Sequence, residues 1–130
     1  MPCPCGSEKV YEACCGLLHS GERHAATAEE LMRSRYSAFV TANVDYLHDT
    51  LWPSERRQFS HAGYEARAKD SIWLGLMILA TERGGPDDRD GTVTFEAHSL
   101  INGAHDTQRE KSFFKKKEGR WYYVKAMAEI

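Results

Sequence analysis

The sequence predicts an α+β fold, in which helices pack on one face of a curved antiparallel sheet, preceded by a short cysteine-rich segment. Three observations lead to this prediction. All four cysteines of the 130-residue chain lie within the first fifteen positions. The next part of the chain has helical periodicity and helix-start signals, and the second half alternates strand-like runs with turn clusters. The length suits one globular domain with a small appendage.

The cysteines form two closely spaced pairs, Cys3 with Cys5 and Cys14 with Cys15. Four thiolates complete the tetrahedral shell that Zn²⁺ prefers, and such a shell has no open position for water. A structural site is therefore favoured over a catalytic one. The pattern predicts one structural zinc ion, with Cys3, Cys5, Cys14 and Cys15 as its ligands.

The residues between the two pairs suggest how the second pair is delivered. Ser7 is placed to cap a short helix over Glu8 to Ala13, and Gly16 is placed where that helix would end. Segment 1–20 is thus predicted to be the zinc-binding unit. Residues 16–26 mix Gly, Ser, His and charge without a clear period, which is typical of a linker.

Two alternatives to this ligand set stay open at the level of sequence. The cysteines could be free or paired as disulfides, and His19 could replace Cys15 as a ligand. The N-terminus lacks the basic and apolar stretches of a secretory signal, which indicates the reducing cytoplasm and favours metal over disulfide. No window approaches the eighteen apolar residues of a membrane span.

Three helices are predicted at the start of the main domain, 27–130. The first begins at the N-cap residue Thr27, and its apolar residues recur at helical spacing from Leu31 to Val40. A second, short helix is expected over Val44 to Leu51. A third, polar helix is expected to start at Pro53 and to reach about Lys69.

Four strands are predicted to follow the helices. Clusters rich in Gly, Asn and Asp separate them, which favours hairpins and an antiparallel meander. The expected strands are Ile72 to Thr81, Thr92 to Ile101, Thr107 to Lys116 and Trp121 to Ala126.

Strand parity predicts which side chains face the helices. Glu110, Ser112 and Phe114 share one side of the third strand, and the opposite side carries so many charges that it must face water. The Glu110 carboxylate and the Ser112 hydroxyl would then point into an aromatic concavity near Tyr36, Trp52 and Trp121. These two polar and three aromatic residues form a candidate pocket.

Two interpretations of Glu110 stay open. With Tyr36 nearby it could abstract a proton beside a carbonyl group, as a buried acid does in some cofactor-free enzymes. Alternatively, Glu110 could form an ion pair with a helix arginine such as Arg35, which would satisfy both charges and leave no catalytic role.

The outward side of the third strand is a second candidate surface. A basic stripe, defined as Arg109, Lys111, Lys115, Lys117 and Arg120, would surround an exposed Phe113. Such a stripe can bind nucleic acid or an acidic protein, or it can be a solvated face that guards against edge pairing. The net charge of −2 gives no general attraction to nucleic acid, so binding would depend on this local patch.

Several motifs resemble known bacterial families. Cys-Pro-Cys-Gly-Ser followed by Tyr11, Cys14, Cys15 and Gly16 resembles the SEC-C motif, a small zinc module first recognised at the end of the SecA translocation ATPase. The runs that begin at Leu31, Trp73 and Trp121 resemble the YchJ family. The likeness spans nearly the whole chain, although Glu8 and Glu12 flank a lone Lys9 where the usual module is more basic.

This resemblance implies a zinc knuckle joined to a nuclear-transport-factor-like (NTF2-like) cone, with three helices wrapped by a bent antiparallel sheet. It also gives the four cysteines the ligand roles. The leading hypothesis is a non-enzymatic, zinc-binding adapter with a protein partner. The alternatives are a cofactor-free enzyme or small-ligand binder that uses the pocket around Glu110, and a nucleic-acid-binding or ribosome-associated factor that uses the basic stripe.

Overall fold

The computed structural model describes residues 2–129, with the side chains of residues 2–127. The helices are α1 Cys15–His19, α2 Ala28–Val40, α3 Val44–Asp49 and α4 His61–Asp70, with 3₁₀ turns at Tyr11–Ala13 and Pro53–Gln58. The strands are β1 Ser71–Arg83, β2 Asp90–Ile101, β3 Ala104–Lys117 and β4 Arg120–Glu129. No helix in this part of the chain is long and apolar enough to cross a membrane.

Helix α2 is the central helix of the fold and begins where the sequence predicts. The Thr27 hydroxyl accepts a hydrogen bond from the Glu30 N–H at 3.1 Å, which satisfies one of the free donors at the helix start. The Glu30 carboxylate, however, accepts from the Ala26 N–H at 3.2 Å, one residue before the cap. Leu31, Met32 and Tyr36 are buried against the sheet, as their spacing predicts.

The third predicted helix, Pro53 to Lys69, is wrong as a single element. A 3₁₀ turn over Pro53–Gln58 stops at Phe59, whose backbone is extended. Ser60 then starts α4, because its hydroxyl accepts the Gly63 N–H at 3.0 Å. The second helix is confirmed, although it ends at Asp49 rather than Leu51.

The four strands form one antiparallel meander in the order β1-β2-β3-β4, which confirms the predicted sheet. Two-residue turns at Asn102-Gly103 and Glu118-Gly119 connect the last three strands, with positive φ at all four positions. Paired positive φ angles match the right-handed twist of the flanking strands, so these turns close tight hairpins. All four strands are longer than predicted, because the ladders continue through polar residues.

The sheet is curved, and its concave face covers the helices. The register of β1 shifts between Trp73 and Gly75 and again between Ile78 and Ala80, and such bulges bend a strand. Val93, Phe95 and Phe114 face the helices, as parity predicts, and with α2 and α3 they form the main core. The curvature leaves room for a cavity between the sheet and α2.

The predicted linker, residues 16–26, is partly helical and is packed. Helix α1 covers its first four residues, and Leu18 and Ala25 are buried in the main core. Two apolar side chains therefore anchor this segment to the core. The irregular polar pattern of the sequence did not indicate this packing.

Candidate metal centre

A tight loop brings the first two cysteines together. Pro2 and Val10 form an isolated antiparallel bridge, and the Cys3 N–H donates to the Lys9 carbonyl at 2.8 Å. Gly6 and Glu8 turn the chain between them with φ angles of 83° and 72°. A residue with positive φ does not fit a right-handed helix, so the predicted helix over Glu8 to Ala13 is wrong. Only the 3₁₀ turn Tyr11–Ala13 forms there.

The second cysteine pair lies at the start of α1. Cys14 precedes the helix and Cys15 is its first residue, so Gly16 lies inside α1 and does not end a helix as predicted. A Cβ atom on Gly16 would lie 2.8 Å from the Tyr11 carbonyl oxygen and 3.0 Å from the Tyr11 ring. Glycine is required here because the α1 backbone approaches Tyr11 closely.

The four sulfur atoms lie within 4.8 Å of one another, and all four cysteines are free of disulfides. The sulfurs of Cys5 and Cys14 are 3.7 Å apart. Tetrahedral zinc with bonds of ~2.3 Å places its sulfurs about 3.8 Å from one another. The cluster thus has the donor set and the spacing of a closed four-thiolate metal site, and the four predicted ligands come together.

The thiols of the cluster are electrostatically linked. Hydrogen bonding from Cys15 lowers the pKa of Cys5 to about 4, and the same bond raises the pKa of Cys15. Burial raises the pKa of Cys14. A bound divalent cation would displace the remaining thiol protons of the cluster.

Helix α2 supplies polar contacts to this cluster from outside the cysteine segment. The buried Ser37 hydroxyl lies 3.6 Å from the Cys3 sulfur. Arg33 Nη1 donates to the Cys5 carbonyl at 2.6 Å. Within the segment, the Ser7 hydroxyl lies 3.1 Å from the Cys14 sulfur. Groups of this kind orient thiolate ligands and offset their charge.

His19 lies outside the cluster of four sulfurs and bonds to other groups. Its Nε2 lies 2.8 Å from the Ser34 carbonyl oxygen, and its Nδ1 lies 2.7 Å from the Tyr11 hydroxyl. A carbonyl only accepts, so Nε2 donates to Ser34, and Nδ1 accepts from Tyr11. Burial lowers the pKa of His19, which favours this neutral form. His19 thus joins α1 and the cysteine loop to α2.

Three of the five predicted pocket residues line a common cavity of about 100 Å³ between α2, α4 and the sheet: Tyr36, Glu110 and Ser112. Trp121 instead packs in the core and donates from Nε1 to the Ala26 carbonyl at 3.2 Å. Trp52 contacts Tyr122 and Lys115 away from the cavity. The aromatic wall comes from residues that the sequence reasoning did not select: Phe39, Tyr64, Trp73 and Tyr123.

The expected ion pair between Glu110 and Arg35 is not formed. The Glu110 carboxylate accepts from the Ser112 hydroxyl at 2.8 Å and from Gln108 Nε2 at 3.1 Å. Arg35 donates from Nη1 to the Leu47 carbonyl at 2.9 Å and to the Thr50 hydroxyl at 2.6 Å. Gln108 shares the parity of Glu110 and Ser112, so the strand pattern already held the signal for it. The orientation of the Arg35 side chain, by contrast, depends on how the helices pack, and no strand pattern predicts it.

The basic stripe is partly neutralised. Arg109 Nε lies 2.9 Å from a Glu96 carboxylate oxygen, and Lys111 Nζ lies 2.8 Å from Glu82. Lys115 lies over the ring of Trp52, with Nζ 4.8 Å from the ring centroid. The guanidinium carbon of Arg120 lies 5.8 Å from the centroid of the Tyr122 ring. Intramolecular partners therefore engage four of the five cations, which weakens the stripe as a nucleic-acid surface.

Comparisons with known proteins match both parts of the chain. The family model described as "YchJ, middle NTF2-like domain" matches residues 27–126, and the SEC-C motif matches residues 2–17. A UPF0225 protein of Geobacter sulfurreducens is 46% identical over 94% of this chain and 76% of its own length. A UPF0225 protein of Corynebacterium efficiens is 44% identical over 95% of this chain and 90% of its own length.

Two solved structures are similar over nearly the whole chain. The solution structure of a SEC-C motif containing protein from Rhodopseudomonas palustris has a TM-score of 0.90 and 39% identity, and the match covers 98% of both chains. The crystal structure of a SEC-C motif containing protein from Psychrobacter arcticus has a TM-score of 0.85 and 28% identity, and the match covers 100% of this chain and 84% of that one.

Proposed function

The chain belongs to the YchJ family, with a SEC-C motif ahead of an NTF2-like domain, and from this premise we propose that it is a non-enzymatic zinc-binding adapter. Zn²⁺ is the proposed ion because it favours a tetrahedral thiolate shell. Free thiolates persist in a reducing compartment, so the proposed location is the cytoplasm.

The single observation that carries the proposal is the closed cluster of four sulfurs. Four protein ligands leave no coordination position for a substrate or an activated water molecule. The zinc ion is therefore assigned a structural role. Its task is to hold the loop of residues 2–15, which has too few apolar side chains to fold by burial alone.

The exposed surface around this loop supports a protein partner. Val10 is 50% exposed on the loop. A Cβ atom on Gly6 would lie 3.6 Å from the Leu76 carbonyl oxygen, so the loop adjoins β1. Strand β1 is an edge strand with four exposed apolar side chains, Ile72, Leu74, Met77 and Leu79. Apolar surface beside an open strand edge is typical of interaction sites.

A comparison of four baits tests the adapter proposal. Wild type, Cys14→Ser, Val10→Glu and the control Ile101→Glu are each immobilised at equal load, and the proteins captured from lysate are quantified. Ile101 matches Val10 because it is a similarly exposed apolar residue, 40% exposed, outside the loop. Cys14→Ser removes a metal ligand, whereas Val10→Glu changes only the surface.

The proposal expects wild type and Ile101→Glu to capture the same proteins, and Cys14→Ser and Val10→Glu to lose them. Zinc content, measured on the same samples, should fall only in Cys14→Ser. If all four baits capture the same proteins, the loop is not an interaction surface and the adapter proposal is wrong.

A further inference from the structure

The cavity between the sheet and α2 has the mixed character of a ligand site. Aromatic rings of Tyr36, Phe39 and Trp73 form an apolar wall, and polar groups from β3 and α2 form the rest. Its volume is about 100 Å³. A dry cavity of about 150 Å³ in another protein holds benzene, so a compound of roughly four to six non-hydrogen atoms suits this one.

Arg35 is the unusual group in the cavity wall. Its side chain is buried, with 4% of the residue exposed, and it comes from the middle of α2. Nη1 uses its two hydrogens on Leu47 and Thr50. Among residues 2–127, no carboxylate pairs with the guanidinium, and its further polar neighbour is the hydroxyl of Tyr64, a neutral acceptor. A desolvated cation therefore faces the cavity without a counter-charge.

The other described polar groups of the cavity do not pair a negative charge directly with Arg35. Glu110 is on the sheet side of the cavity and is already satisfied by the neutral donors Gln108 and Ser112. The ring of Tyr123 lies 4.7 Å from the Arg35 guanidinium carbon and offers only its π face. Desolvation of a cation is unfavourable unless an anion pairs with it.

An exposed arginine adds positive charge at the cavity. Arg67 of α4 lines it and donates from Nη2 to Gln108 Oε1 at 2.6 Å. The two arginines and Glu110 give the lining a net charge of +1. Its electrostatics thus favour an anionic ligand over a cationic or neutral one.

We propose that this cavity binds a small monocarboxylate, with the carboxylate on Arg35 and a short apolar body against Tyr36, Phe39 and Trp73. A guanidinium presents its N–H donors in a fork that matches the two oxygens of a carboxylate, which can replace a neutral hydroxyl as the partner. The aromatic wall selects for an alkyl or aromatic body over a second charged group. This binding role is separate from the zinc cluster and does not depend on the adapter proposal.

Butyrate, with six non-hydrogen atoms, is a suitable probe, and butyramide is its neutral match. Each is titrated into the zinc-loaded full chain at constant ionic strength, with amide signals followed by two-dimensional NMR. The proposal expects butyrate to cause saturable shifts around Tyr36 and Ser112. Butyramide should bind at least about tenfold more weakly, because a charged hydrogen bond contributes more than a neutral one.

Charge variants test whether Arg35 and Glu110 act as described. Glu110→Gln removes the opposing charge from the cavity while it keeps hydrogen-bonding groups, and it should tighten butyrate binding severalfold. Asp106→Asn is the matched control, because Asp106 has the same parity on β3 and loses the same charge but does not line the cavity. Arg35→Gln should abolish binding if the variant folds.

Three results would each overturn the proposal. They are the absence of any saturable shift with butyrate, equal binding of butyrate and butyramide, and equal affinity of Glu110→Gln and Asp106→Asn. The last comparison decides the question even if Arg35→Gln does not fold.

Discussion

The Ser37 hydroxyl of α2 contacts the sulfur cluster and lies 3.6 Å from the Cys3 sulfur. Its donation would stabilise the thiolate form that the metal requires. No spacing rule reveals this contact, because Ser37 is 34 residues from Cys3 in sequence. The cluster itself was predictable, since four cysteines at close spacing are typical of a metal site.

Removal of the Ser37 hydroxyl should weaken zinc binding. Ser37→Ala is expected to lower the zinc affinity about tenfold, the lower end of the range for groups that contact metal ligands. The affinity is measured by competition with a chromophoric chelator. Ser34→Ala is the matched control, because Ser34 is equally buried on α2 but bonds to Leu31 and Tyr46 instead of a sulfur. Equal zinc affinities of the two variants would contradict the role of Ser37.

His19 should make stability depend on pH. Burial lowers its folded pKa below the unfolded value of about 6.5, so the unfolded chain binds more protons in that range. The contribution of His19 is therefore complete above about pH 6.5 and is lost as the pH falls through the folded pKa. The free energy of unfolding, measured with denaturant from pH 7.5 to 5, should fall less for His19→Gln than for wild type. The part of this fall that comes from zinc release is common to both proteins. Parallel curves of unfolding free energy against pH for the two proteins would contradict this role of His19.

At the scale of elements, periodicity and turn chemistry were sufficient where each element has its own local signal. Thr27 starts α2, and the Asn102-Gly103 pair sets a hairpin, as predicted. The errors lie at two positions in loops, one of which carries a local cap signal that the helical pattern concealed. Glu8 has positive φ, which no residue-type rule anticipates, and Ser60 restarts a helix that the polar pattern had joined to Pro53.

Gly16→Ala should destabilise the cysteine segment through α1. The new Cβ would lie 2.8 Å from the Tyr11 carbonyl oxygen, and overpacking of this kind costs about 1–3 kcal/mol. We expect the variant to retain less zinc in the presence of a chelator and to unfold at a lower temperature. Gly85→Ala is the control, because its Cβ would make only an ordinary contact at 3.4 Å with Asp88. A Gly16→Ala protein that matches Gly85→Ala in both measurements would show that α1 can move away from Tyr11.

At the scale of the whole molecule, the two family-model matches correspond to two segments with different sources of stability. The main domain has an extensive apolar core, whereas the cysteine loop has only a small buried cluster, and we propose that bound metal stabilises it. The sequence indicated this contrast by composition. It did not indicate that Arg33, Ser37 and His19 connect the two segments, since hydrogen bonds between distant residues leave no periodic pattern.

We predict that the segments 1–20 and 27–130 are separately stable despite these contacts. Structural zinc contributes an apparent ~10–16 kcal/mol to small modules near neutral pH, and Cys14→Ser should forfeit much of it. The loop should then unfold, while the core of the main domain persists. Two-dimensional NMR with and without chelator should keep the dispersed signals of residues 31–126, with shifts confined to α2. Collapse of those signals together with the loop would show that zinc organises the entire chain.

Zinc K-edge X-ray absorption on the purified, zinc-loaded protein measures the coordination shell of the proposed site. We expect one zinc ion per chain with four sulfur neighbours at ~2.3 Å and no nitrogen or oxygen neighbour. This result would match the cluster of Cys3, Cys5, Cys14 and Cys15 and would exclude His19 as a ligand. A shell with three or fewer sulfurs, or with a nitrogen or oxygen neighbour, would contradict the closed site and the structural role assigned to it.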